Sequence, residues 1–186
     1  MVSKGIIKDG NRIVRNVQQR LKTTLETPVL PETRPATPED LEALADIWHA
    51  GWHEAHAEHV PEELKAMRSR DSLRTRLENM LETTDVVGPI GAPAGFCTVK
   101  GDEIYQFYIS PAARSTGTAD ALMQAGEKRL ADSGIKVAQL WVIPENTRAI
   151  AFYQRNGWRG DRVQDVPLDT QEGPYLLPCR ILEKAL

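Results

Sequence analysis

From residue 37 onward the apolar positions fall at helical spacing. Leu41, Leu44, Ala45 and Trp48 share one helix face. The stretch Thr37-Pro38-Glu39-Asp40 ahead of them reads as a helix start. Thr37 can cap, Pro38 suits the first position, and Asp40 three residues on gives an arrangement close to a capping box. Pro61-Glu62-Glu63 opens a second helical stretch, and Leu73, Leu77 and Met80 mark a third within residues 72–81. The texture then changes to short β-rich runs at 86–87, 94–99 and 103–109, separated by Gly and Pro, which predict a meander of strands. Helical periodicity returns over 112–133 and ends at Gly134. An apolar strand follows at 137–143, then a helix over 146–155 stopped by Asn156-Gly157, and final strands at 162–166 and 175–182. Helices, three strands, helix, strand, helix and two strands make an α/β pattern with helices on both faces of one sheet.

The first thirty residues stand apart. Ile6 to Val14 carries Asp9-Gly10 between two β-rich flanks, the signal of a hairpin. Val14, Val17, Leu21 and Leu25 equally fit a basic amphipathic helix, and an added segment would fit as well. Pro28, Pro31 and Pro35 close this stretch with a stiff, extended link. The expected division is a basic N-terminal extension over residues 1–32 and a folded domain over residues 33–186.

Composition narrows the picture in three ways. A chain of 186 residues with 41% hydrophobic content suffices for one domain with a real core. It has no apolar run long enough for a membrane span and no secretion-signal pattern at its start. Cys97 and Cys179 lie in separate apolar stretches without metal or redox spacing, so they read as reduced core residues of a cytoplasmic protein. Lys4, Lys8, Arg12, Arg15, Arg20 and Lys22 outnumber Asp9 and Glu26 in the extension. The remainder is therefore more acidic than the overall charge of -3. An acidic body disfavours a nucleic-acid surface and attracts a cationic amine, although the same charge also serves solubility.

The segment from Tyr108 to Ala119 carries the main chemical signal. A strand ends at about Ile109, a turn follows, and a helix begins near Thr116. Unpartnered main-chain N–H groups and the positive end of the helix dipole make such a start a pyrophosphate site. Small residues at Ser115, Thr116, Gly117, Thr118 and Ala119 let phosphates approach, and Arg114 adds a charged donor. Arg114-x-x-Gly117-x-Ala119 resembles the Q/R-x-x-G-x-G/A loop of the Gcn5-related (GNAT) acetyltransferases, preceded by a Tyr-Ile-Ser-Pro similar to the end of that family's fourth strand. The family commonly has Gly directly after the Arg, where this chain has Ser115. A second block, Leu140 to Trp158, resembles the family's V-x-x-x-N-x-x-A-x-x-F-Y-x-x-x-G-F/W signature through Asn146, Ala149, Phe152, Tyr153 and Gly157. The resemblance covers roughly residues 33–186.

It implies the GNAT fold, a mixed and mostly antiparallel sheet splayed between strands 4 and 5. It also implies an N-acetyltransferase that uses acetyl-CoA as co-substrate. Tyr108, Ile109, the 114–119 loop, Asn146, Ala149 and Tyr153 would then hold the cofactor. Tyr153 would be the general acid at sulfur, and main chain near Ile109 would polarise the carbonyl. Glu103, Tyr105, Phe107 and Ile109 alternate along one side of the predicted strand. Glu103 stands where histone-type members carry a catalytic Glu, so it is either the base or a surface residue beside the Gly101-Asp102 turn. The acceptor end would be walled by the first helices, with Trp48, Trp52 and His53 as binding residues. His49, His53 and His56 share a helix face, and no acidic or Cys ligand is placed to complete a metal site, so no metal is expected. The expected acceptor is a small-molecule or peptide amine. Homodimerisation is compatible with the resemblance, and the competing functional reading is a non-catalytic acyl-CoA-binding domain.

Overall fold

The computed structural model describes residues 29–170 and 172–186. The hairpin or helix expected within residues 6–25 lies outside the described residues. Seven strands form one sheet: β1 (Thr33–Pro35), β2 (Thr84–Val87), β3 (Gly95–Lys100), β4 (Glu103–Ile109), β5 (Val137–Val142), β6 (Val163–Leu168) and β7 (Tyr175–Ala185). Their order is β1-β2-β3-β4-β5-β7-β6. Every neighbouring pair is antiparallel except β4 and β5, which are parallel. The helices are α1 (Leu41–His56), α2 (Glu62–Met67), α3 (Arg70–Glu78), α4 (Thr118–Asp132) and α5 (Thr147–Arg155).

The sheet separates two apolar cores. On one face Leu44, Trp48 and Trp52 of α1, Leu64 of α2 and Leu73 and Leu77 of α3 pack with Phe96 and Ile181. On the other, Leu122, Met123 and Leu130 of α4 and Ile150 of α5 pack with Leu140, Trp158 and Leu182. The helical periodicities at residues 41–48 and 73–80 thus correspond to real buried stripes, Met80 being partly buried. α4 lies close on its strands, since a Cβ at Gly126 would stand 2.6 Å from Cys97 Sγ and 2.8 Å from Ile104 Cδ1. Among the described residues no helix is long and apolar enough to cross a membrane.

Three local features depart from the sequence reading. Residues 33–35, expected as a stiff link, form the edge strand β1 against β2, a position that tolerates Pro35 because its missing N–H faces away from the ladder. The helix expected from residue 112 starts only at Thr118. Pro111–Ala113 forms a 3-10 turn, Arg114 is extended, and Ser115 and Gly117 have φ of 63° and 85°. β4 also carries a bulge. Val99 pairs with Ile104 and Thr98 with Gln106, which leaves Tyr105 as the extra residue. The bulge shifts the phase of the strand. Ile104, Phe107 and Ile109 face the α4 core, whereas Tyr108 faces α1, and Tyr105 reaches Arg76 of α3. The single alternating face of Glu103, Tyr105, Phe107 and Ile109 is therefore corrected.

The start of α1 is fixed by a buried carboxylate. Asp40 accepts two bonds from Arg34, at 2.7 and 2.9 Å, and one each from the Thr37 and Gly91 main-chain N–H groups, both at 2.9 Å. Burial works to raise its pKa, but these donors prevail and hold it at about 2. Asp40 thus stabilises the fold above the ordinary carboxylate range, and that stability is lost as pH falls toward 2. Arg34→Ala should lower the unfolding free energy in urea by roughly 2–3 kcal/mol. That is less than for a fully buried pair, because Arg34 keeps some solvent contact. A change below about 0.5 kcal/mol would show that the two main-chain donors suffice.

Candidate active site

β4 and β5 share one register pair, Glu103 with Gln139, tied by the Gln139 N–H to Asp102 carbonyl bond of 3.0 Å. Beyond it the strands diverge. A cavity of about 550 Å³ runs through the opening, between α1 on one side of the sheet and α5 on the other. Of the residues singled out from sequence, Trp48, Trp52, Glu103, Tyr108, Ile109, Arg114, Ser115, Ala119, Asn146, Ala149 and Tyr153 line it. Thr116, Gly117 and Thr118 shape the loop without lining the cavity. His53 does not line it either. One residue along the helix from Trp52, it turns toward His49, and the two rings lie 4.4 Å apart. The cavity-facing histidine is His56, stacked on Trp52 at 5.0 Å.

Ahead of α4 the loop is built around backbone donors. The N–H groups of Ser115, Thr116 and Gly117 have no hydrogen-bond partner among the described residues, and the first helix-internal acceptor is Gly117 O, taken by Ala121 at 3.0 Å. The Thr116 hydroxyl donates to Ala113 O at 2.7 Å and meets Thr118 Oγ1 at 2.8 Å, so these side chains brace the turn from within. A Cβ at Gly117 would come within 3.3 Å of both Leu30 and Pro31 as well as straining the backbone. Arg114 is bound to Glu54 of α1, which also accepts from Arg148 at the start of α5 at 3.1 Å. The Arg114 bond holds the Glu54 carboxyl below its ordinary range.

Where the strands part, Tyr153 is only 8% exposed, with its ring edge-on to Phe107 at 6.2 Å. Burial pushes its pKa up, so it carries its proton at any physiological pH. Asn146 caps α5, its Oδ1 accepting the Ala149 N–H at 3.1 Å. Its amide N–H donors remain without a partner among the described residues. Where β4 and β5 still pair, Glu103 is 8% exposed. Burial, helped by Asp102 and Asp169 and opposed by Lys100, pushes its carboxyl up to about 8. His56 Nδ1 lies 2.8 Å from Trp52 O, which can only accept, so Nδ1 carries the proton and Nε2 is the open acceptor. Burial lowers its pKa and keeps the ring neutral.

Cys179 lines the same space, its thiol pushed up to about 12 by burial, and so it is no nucleophile. Sequence reasoning missed His56, Arg68, Trp141, Leu168, Leu177 and Cys179 as lining residues. Only His56 carried a signal, its share in the histidine face of α1. Among the described residues no group of three or more His, Cys, Asp or Glu is placed to hold a metal ion.

The family model described as the acetyltransferase (GNAT) family matches residues 41–158. This chain belongs to the GNAT family. A mycothiol acetyltransferase from Renibacterium salmoninarum is 35% identical over 82 residues, a match that takes in 42% of this chain and 24% of the relative. The chain thus spans about a quarter of that relative's length. A GCN5-related N-acetyltransferase structure from Rhodopseudomonas palustris superposes with a TM-score of 0.66 at 23% identity, covering 85% of this chain and 97% of that one. The PaiA N-acetyltransferase of Thermoplasma acidophilum, solved with coenzyme A, gives 0.60 at 20% identity over 85% and 100%. Those two likenesses establish the fold, a mixed sheet splayed between β4 and β5.

Two measurements follow from this geometry. Ser115 occupies the left-handed region at a cost of about 1 kcal/mol. Ser115→Gly should therefore raise the unfolding free energy by up to about 1 kcal/mol, the relief being offset in part by glycine's extra chain entropy. A loss of stability would show that the Ser115 side chain anchors the loop. For Glu103 the folded pKa lies above the unfolded one, so its contribution is fully present below pH 4.5 and lost as pH rises through about 8. Melting temperatures of Glu103→Gln and wild type should nearly coincide at pH 4.5 and separate by pH 9, the variant melting higher. Parallel curves would mean that the carboxyl is not held protonated.

Proposed function

We propose that this chain is an acetyl-CoA-dependent N-acetyltransferase that moves an acetyl group directly to a primary amine of a small molecule or peptide, within a ternary complex. The observation that carries the reading is a cavity passing through the sheet, with a proton donor at its cofactor end and a proton acceptor at its acceptor end. The transferase domain corresponds to residues 33–186, with 1–32 as an extension.

The free N–H groups of the 115–117 turn, the left-handed backbone there and the N-terminus of α4 fit a pyrophosphate. Bound acetyl-CoA supplies an acetyl thioester. Arg114 would exchange Glu54 for phosphate oxygens, and the free Asn146 amide N–H would serve the pantetheine arm. The main chain of β4 near Ile109 would polarise the thioester carbonyl. Tyr153, which burial keeps protonated, holds a proton at Oη toward the departing sulfur. Glu103, in its ionised form, takes the proton from the amine directly or through water. A base that ionises near pH 8 is strong enough for an ammonium acceptor and still populated at neutral pH. Cys179 is protonated and therefore not an acyl carrier, which favours direct transfer.

Calorimetric titration with acetyl-CoA should show saturable binding, weakened about tenfold by Arg114→Ala. In a thiol-release assay with an amine panel, Tyr153→Phe should cut turnover by about 100-fold with little loss of cofactor affinity. The wild-type rate should rise with pH through about 8, a limb that Glu103→Gln flattens. Binding without acetylation of any amine would instead favour a non-catalytic acyl-CoA-binding domain. No binding at millimolar cofactor would remove the transferase reading altogether.

A further inference from the structure

Half of the twelve described arginines pair with a carboxylate, Arg114 and Arg148 both with Glu54. Arg34 meets Asp40, Arg70 meets Glu42 and Asp46, Arg74 meets Glu42 and Glu78, and Arg129 meets Asp85. Arg76 and Arg180 also have a buried nitrogen without a partner, but Arg68, at the C-terminal cap of α2, is the one fully buried arginine among the described residues. It is only 4% exposed, its Nε is buried without a partner, and its side chain donates to no described residue. Its guanidinium carbon stands 5.9 Å from the centre of the Trp52 ring, and the residue lines the acceptor half of the cavity. A guanidinium largely withdrawn from bulk water, with no counter-charge among the described residues, is costly to the unliganded protein. Trp52 offsets part of that cost through its π-face but cannot replace an anion.

We propose that Arg68 is a specificity-determining residue whose counter-charge arrives with the substrate, so that the acceptor is an amine that also carries a carboxylate. The inference rests on the transferase reading above and names its substrate class. A guanidinium offers two parallel N–H donors matched to the two oxygens of a carboxylate. One such group balances a single negative charge. A phosphate dianion would keep an uncompensated charge among walls formed by Trp52, Leu168, Leu177 and Cys179. The same cavity offers His56 Nε2 as a neutral acceptor and Glu103 as the base, so the amine and the carboxylate of one small molecule have separate partners.

The test compares amines that differ only in that charge. Glycine, β-alanine, 4-aminobutyrate and phenylalanine are assayed against their carboxamides by thiol release. In a second arm, propionate and propionamide are titrated into the cofactor-free protein, with tryptophan fluorescence as the readout because Trp52 lies against Arg68. The expected result is a preference for at least one acid over its amide of about tenfold or more in kcat/KM. Arg68→Met should bring that ratio close to one, and Arg68→Lys should keep part of it. Propionate but not propionamide should change the wild-type fluorescence saturably, and the change should vanish in Arg68→Met. Thermal melting of cofactor-free Arg68→Met at or above the wild-type temperature would agree with removal of an unpaired buried charge. Amides accepted as well as acids, or an acid preference that survives Arg68→Met, would overturn the proposal and leave the transferase reading standing. If no amine of either series is acetylated, the cofactor titration decides the transferase reading and the propionate arm alone decides the anion subsite. Without a fluorescence change in that case, the subsite fails. The acid–amide comparison in wild type needs no variant, so a folding defect in Arg68→Met does not remove the test.

Discussion

A parallel pair held by one register contact is the constraint on which the rest of this molecule depends. β4 and β5 meet at Glu103 and Gln139 and then separate, which leaves main-chain groups of both strands facing a gap in the middle of the sheet. Elsewhere such a gap would be closed by ladder bonds. Here it is kept open by the elements on either side. The bulge at Tyr105 turns β4, α1 stands over one mouth, and α5 stands over the other. Because the cavity passes through the sheet, its two ends lie on opposite faces. Each has a chemically different wall, with backbone donors and a protonated tyrosine on one side and a carboxyl, an imidazole and indole rings on the other.

The irregular backbone clusters around this opening. Ser115 and Gly117 adopt positive φ within three residues of each other, and the helix that follows starts later than its apolar pattern would allow. Strain of this kind persists only where the surroundings over-determine it. The bracing bonds of Thr116 and the contact of Leu30 and Pro31 with the turn supply that determination. Regular structure is thereby sacrificed over a few residues, and the N–H groups of Ser115, Thr116 and Gly117 are left without partners among the described residues.

Much of this was legible in the sequence, for identifiable reasons. The stripes of α1, α3 and α4 could be read because burial on one helix face leaves a period in the chain. The loop and the Asn146–Tyr153 block could be read because their residues stand at the spacings of the GNAT family's motifs. The edge strand β1 was hidden because three residues between prolines carry no periodicity. The phase of β4 was hidden because a bulge is decided by how two strands pair, and neither strand alone records it. Thus Phe107 and Ile109 were put on the face of Glu103 and in fact turn toward α4. His56 was visible as a member of a histidine face, but which histidine looks inward depends on where Trp52 docks. Arg68 had no signal at all, since an arginine near a helix end is ordinarily a solvated cap and only its enclosure by α1 and the cavity makes it unusual.

The two cysteines lie on opposite sides of the sheet. Cys97 packs in the α4 core against the close approach at Gly126, and Cys179 packs in the α1 core beside the cavity. Burial raises both thiol pKa values, and a sheet stands between them, so neither ionisation nor approach is open to the pair. An oxidising solvent would find no thiolate to attack and no partner within reach for a cross-link. Their reduced state is therefore a property of the fold and carries no information about the compartment in which the chain resides.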